Sequence, residues 1–239
     1  MKGISIKNSE RFRALAGICA VIVLINILAV FFFSAYLSRT FRLIGSTILI
    51  SYFLVVFPQQ RKKIVLVLGA FWLRDIAAIF YEEDSNTLGY FIFGVIAYLG
   101  LFFRQLKSLL RFKIITPSIS ITGIVVLACF GMLYSLESIL GEGQHDRSLI
   151  YYYYFLGISI VFSILLAIYY YYRIGGLRAL LFSFAVFSFT ISDIAAYLGI
   201  YQENYSFFLV TRIFYFAGLL MLMNFSLSQD GEQDENVIE

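Results

Sequence analysis

Apolar positions run along this chain in long blocks, separated by short polar or charged connections. Blocks such as AVIVLINILAVFFF show no alternation of apolar and polar residues. They therefore do not read as strands of a membrane β-barrel, whose segments alternate over about ten residues. A helix needs about 20 mostly apolar residues to cross a bilayer. By that measure the sequence predicts eight spans, over residues 14–37, 41–57, 63–81, 88–106, 117–140, 148–172, 176–200 and 205–228. They form one transmembrane domain, 14–228, after a basic segment at 1–13 and before an acidic tail at 229–239. The tail's composition predicts disorder. The first apolar block has no clear small-residue cleavage site and reads as a retained helix.

Composition agrees with this pattern. Hydrophobic residues fill 61% of the 239 positions, charged residues only 14%, and mean hydropathy is +0.85. A soluble domain carries about a quarter charged residues, so the chain reads as an all-α integral membrane protein. The formal charge of +3 does not point to nucleic acid, because the Lys and Arg residues sit between apolar blocks as topology signals. One side of the expected bundle carries thirteen of them: Lys2, Lys7, Arg11, Arg13, Arg61, Lys62, Lys63, Arg104, Lys107, Arg111, Lys113, Arg173 and Arg178. The other carries three, Arg39, Arg42 and Arg147, beside the acidic loops YEEDSN and GEGQHD. The bias predicts that both termini are cytoplasmic, in a bacterial inner membrane. Cys19 and Cys129 lie in apolar blocks and His145 is the only histidine. That set is too small for a zinc site, and no metal or other cofactor is expected.

One tetrapeptide occurs twice. Asp-Ile-Ala-Ala stands at 75–78 in FWLRDIAAIF and at 193–196 in SFTISDIAAYLGI. The aspartates are 118 positions apart, and each falls in the third helix of a set of four. Four helices return the chain to the side it started from, so this predicts a parallel 4+4 repeat with halves at about 14–106 and 117–228. Counting from the expected helix ends at 1.5 Å per residue places Asp75, Asp193 and Arg212 roughly 9–11 Å below one face, with Arg74 beside Asp75. A charge at mid-helix costs at least about 2.5–3.5 kcal/mol and survives by pairing or by lining water. The expectation is a polar cavity open to the outer face. Asp75 and Asp193 are its candidate catalytic groups. Arg74, Arg212, Ser192, Thr190, Tyr197 and Glu82 are its candidate binding groups, Thr190 and Tyr197 lying on one face with Asp193. Paired buried charges can equally serve only to lock helices together.

This layout resembles the YhhN-like lysoplasmalogenase family. The resemblance lies in GAFWLRDIAAIF and GYFIFGVIAYLGLFF in the first half, and in RALLFSFAVFSFTISDIAAYL and FFLVTRIFYFAGLLM in the second. Family members often carry Gly where this chain has Arg74, an Ala-His element where it reads AYLGLFF, and Ala-Gln where it reads Ala217-Gly218. Ser192-Asp193 fits the family pattern. The resemblance implies hydrolysis of the vinyl ether bond of a lysophospholipid. One carboxylic acid would protonate carbon, and one carboxylate would orient water toward the resulting oxocarbenium ion. Asp193, with no arginine adjoining it in sequence, takes the acid role in that scheme, and Asp75 beside Arg74 takes the base role. The alternative is a non-catalytic lipid- or metabolite-binding protein or a transporter on the same fold. Transport is disfavoured because Pro58 and Pro117 both fall near helix ends. A membrane lipid or lysolipid is the expected partner in either case.

Overall fold

The computed structural model describes residues 2–81, 84–109, 117–141, 148–201 and 205–228. Eight α-helices account for almost all of them: α1 Lys2–Phe32, α2 Ala35–Val56, α3 Arg61–Ile79, α4 Asp84–Leu109, α5 Pro117–Gly141, α6 Ser148–Ile174, α7 Gly176–Tyr201 and α8 Tyr205–Leu227. Six of these, α1, α2, α4, α6, α7 and α8, are long and apolar enough to cross a membrane. Of the other two, α3 is the shortest at 19 residues and carries Arg74 and Asp75. In α5 the described apolar run is Val126–Ser135. The chain is therefore an all-helical protein with the makeup of an integral membrane protein.

The helices begin and end for local reasons. Between α1 and α2 the chain breaks at Phe33 and Ser34, where the Ser34 hydroxyl caps α2 by accepting from the Leu37 N–H at 3.5 Å. A serine at this position satisfies one of the free N–H groups of the first turn. The break falls earlier than the apolar pattern predicts, within the expected span 14–37. Arg39, expected in the connection between the first two spans, consequently lies inside α2 with Arg42, and both are buried. At the other end of α2, Pro58 opens a short 3₁₀ turn, Pro58–Gln60, that leads into α3. Between α6 and α7 the reversal takes a single residue. Gly175 has φ +63° and Gly176 φ +71°, and the Gly175 N–H returns to the Tyr171 carbonyl at 2.9 Å. Left-handed conformations cost residues with a Cβ about 1–2 kcal/mol each, so two glycines suit this turn.

Seven helices close into a ring, in the order α1, α2, α3, α4, α6, α7, α8 and back to α1. Within it α3 packs most broadly on α4, and α7 on α8. The fifth helix stands outside the ring against α6. At the ring's centre the Phe71 ring of α3 stacks on the Phe189 ring of α7, with centroids 4.2 Å apart and planes 21° from parallel. Tyr98 of α4 meets Phe71 edge-on, and Tyr215 of α8 meets both phenylalanines edge-on. Offset stacks and edge contacts of this kind add about 0.5–1.5 kcal/mol per pair beyond burial.

Candidate functional site

Charged side chains inside the bundle gather toward one end, near the start of α2 and α8 and the finish of α3 and α7. Asp75 and Asp193 are both there, and the helices bring them different partners from those adjacent in sequence. Arg74 points away from Asp75 and reaches across the ring to Asp193. Its Nη1 donates to Oδ2 at 2.9 Å, and its Nη2 donates to Oδ1. Tyr98 donates to the same Oδ2 at 2.8 Å, and Arg74 Nη2 also donates to the Tyr90 hydroxyl at 3.2 Å. A guanidinium matches a carboxylate two-pronged in this way. The adjacent Tyr90 ring lies 4.7 Å from the guanidinium carbon.

Asp75 is held by a second set. Arg42 of α2 stands with Nε 3.1 Å from Oδ1, and Tyr215 of α8 donates to Oδ2 at 2.6 Å. The premise that sets Asp193 apart as the acid, namely that no arginine adjoins it, does not hold in three dimensions. Asp193 has the two-pronged arginine, and Asp75 has the single-nitrogen contact.

The two aspartates thus sit in matching frames. Asp75 on α3 accepts from a tyrosine on α8, and Asp193 on α7 accepts from a tyrosine on α4. Each is four residues past one ring of the stacked pair Phe71 and Phe189. Sequence reasoning misses Tyr98, Tyr215, Phe71 and Phe189, although Phe-x-x-x-Asp is legible in both FWLRD and FTISD.

Of the other expected site residues, Arg212 is 1% exposed on α8 and donates to the Ser38 hydroxyl of α2 at 3.0 Å. Ser192 donates to the Thr211 carbonyl at 3.2 Å and ties α7 to α8. Thr190 donates to the Val186 carbonyl of its own helix at 3.0 Å. Tyr197 lines a cavity beside Asp193. Glu82 lies outside the described residues, as do Arg147 and the tail 229–239.

Two kinds of cavity adjoin this charged region. The larger has about 530 Å³ of empty space between α4, α5, α6 and α7. It is walled by Phe91, Leu133, Tyr153, Leu156, Ile160 and Tyr197 among others, with Asp193 its one charged wall residue among those described. The other holds about 300 Å³ and is lined by Arg39, Arg42 and Arg212 together with Ala78, Ala196 and Phe208. Tyr81, Tyr90 and Ile200 belong to both walls. A third, smaller recess next to the arginines adds Ser38. Among the residues whose side chains are described, no group of three or more His, Cys, Asp or Glu side chains is placed to hold a metal ion.

Comparison of the chain with protein families, with curated proteins and with solved structures finds no match. The functional reading therefore stands on the chemistry of the site.

Proposed function

We propose that this protein binds a lipid-like amphiphile within the membrane, its apolar part in the cavity between α4, α6 and α7 and its polar part toward Asp193. The observation that carries this reading is the makeup of that cavity, an aromatic and aliphatic wall with a single carboxylate set into it. Small-molecule sites usually have apolar linings with a few placed polar groups. Asp193 and the Tyr98 hydroxyl offer orientation, while the wall excludes water from whatever lies against it.

The frame around the ligand is, in this reading, a duplicated one. We infer a parallel 4+4 repeat across eight spans. The exchanged contacts Asp75–Tyr215 and Asp193–Tyr98 about the Phe71–Phe189 stack support it. The positive-inside bias supports cytoplasmic termini and a site near the outer face of a bacterial inner membrane.

A hydrolase resembling lysoplasmalogenase is the second reading, and one observation favours it: Asp193 lines the cavity itself, where a bound vinyl ether would lie. Incubation with lysolipid mixtures followed by mass spectrometry separates the two. Binding alone predicts a retained lipid and no fatty aldehyde. Hydrolysis predicts aldehyde release that Asp193→Asn abolishes. Filling the cavity with Ile160→Phe should remove either signal, and a variant that binds neutral monoacylglycerol as well as the wild type does would overturn the placement.

A further inference from the structure

Several wall positions of the two cavities correspond to one another under the same count. Counting 118 residues on from Ser38, Arg39 and Arg42 gives Leu156, Gly157 and Ile160. The first three line the basic recesses, and the second three line the apolar cavity. The same count takes Tyr90 to Phe208 and Gly94 to Arg212. At Gly94 an added Cβ would meet Leu156 Cδ1 at 2.8 Å, so this position packs directly behind a residue of the apolar cavity's wall. One frame has thus been filled twice, once with Leu, Gly, Ile and Gly, and once with Ser and three arginines.

This comparison separates what the fold requires from what it does not. The apolar copy shows that the frame closes without any charge at these four positions. Guanidiniums there are costly in a membrane bundle, so their presence calls for a partner. Arg42 has Asp75. Arg212 has no carboxylate of its own among the described residues: its polar contact is Ser38, and its buried Nε has no hydrogen-bond acceptor. Asp75 is within electrostatic reach of Arg212, but it is already ion-paired with Arg42 through Oδ1, at 3.1 Å without a hydrogen bond, and accepts from Tyr215 at Oδ2. Arg42 also keeps a buried Nη2 without an acceptor. The two arginines therefore line a shared cavity together with Arg39, and each keeps a buried nitrogen without an acceptor.

We propose that the cavity of Arg212, Arg42, Arg39 and Ser38 is an oxyanion site that takes a phosphate group. Guanidinium forks suit phosphate oxygens, and an anion here would supply the charge that Arg212 lacks. Because Tyr81, Tyr90 and Ile200 wall both cavities, a phosphate-bearing head at the arginines lies next to an acyl chain in the apolar copy. That last step rests on the amphiphile reading, whereas the oxyanion site itself does not.

The test uses the full chain in detergent and follows thermal unfolding with three probes: inorganic phosphate, a lysolipid with a phosphate monoester head, and neutral monoacylglycerol. The wild type should be stabilised by the phosphate lysolipid, and Arg212→Gln should need about tenfold more of it or beyond for the same shift. Stabilisation by inorganic phosphate as well identifies a site for the free ion. Stabilisation by the lysolipid alone identifies a headgroup. Arg212→Lys, which keeps the charge, serves if the glutamine variant does not fold, and it should weaken the phosphate probes while sparing monoacylglycerol. Absence of any shift with both phosphate probes, or equal shifts in wild type and variants, overturns the oxyanion site. Monoacylglycerol that stabilises all forms equally in that case leaves the apolar cavity standing by itself.

Discussion

Asp193 is engaged on both oxygens by Arg74 and again by Tyr98. Removing one member of a buried ion pair leaves an uncompensated charge, at about 3–5 kcal/mol, while replacing both with apolar groups is often neutral. Asp193→Asn should therefore lower the unfolding midpoint sharply. The double change Arg74→Met with Asp193→Leu should recover most of it, and thermal unfolding of the single and double variants beside the wild type reads the coupling. Tyr98→Phe and Tyr215→Phe should each cost about 1.5–3 kcal/mol, the range for a hydrogen bond to a charged group. Similar values are expected because each tyrosine donates one buried hydrogen bond to an aspartate carboxylate. Arg212→Met should behave oppositely to Asp193→Asn and raise the midpoint of the ligand-free protein, since it removes a buried guanidinium with no carboxylate of its own among the described residues. The sequence disclosed part of this. Intramembrane Asp75, Asp193, Arg74 and Arg212 stand out because charge in an apolar block is rare. Which arginine faces which aspartate was not legible, because Arg74 and Asp75 lie about 100° apart round one helix and turn toward different neighbours.

The helices themselves were legible from length and apolarity, but the border between α1 and α2 was not. Residues 14–37 are apolar almost throughout, and only the serine cap at Ser34 marks the break. Hydropathy averages over such a signal. Hence Arg39 reads as a connecting charge in the sequence, although α2 carries it into the bundle. The turn between α6 and α7 gives a prediction at this scale. Gly175→Ala should cost about 1–2 kcal/mol through its left-handed backbone alone. Packing should be unaffected, since open space surrounds the position, and the unfolding midpoint reads the backbone cost directly. At the centre of the ring, Phe71→Ala and Phe189→Ala should each cost about 3–5 kcal/mol. The double variant should cost less than their sum, because each ring stacks on the other and such sites are not additive.

For the whole molecule, the repeated Asp-Ile-Ala-Ala pointed to two related halves, yet the count of 118 carried further than the identity did. It pairs Phe71 with Phe189 and sets two arginines of one cavity, Arg39 and Arg42, against Gly157 and Ile160 in the other. Apart from the phenylalanine pair, no sequence identity marks those positions; what relates them is the count alone. On the proposed duplication the halves differ in chemistry, and the bundle offers a charged recess and an apolar one with a common wall. An amphiphile that bridges them is the central claim. Native mass spectrometry of the protein purified in mild detergent tests it most directly, with wild type beside Arg212→Met and Ile160→Phe. A single phosphate-bearing lipid retained by the wild type and lost from both variants is the predicted result. A lipid indifferent to both substitutions, or two different lipids lost one from each variant, would contradict it.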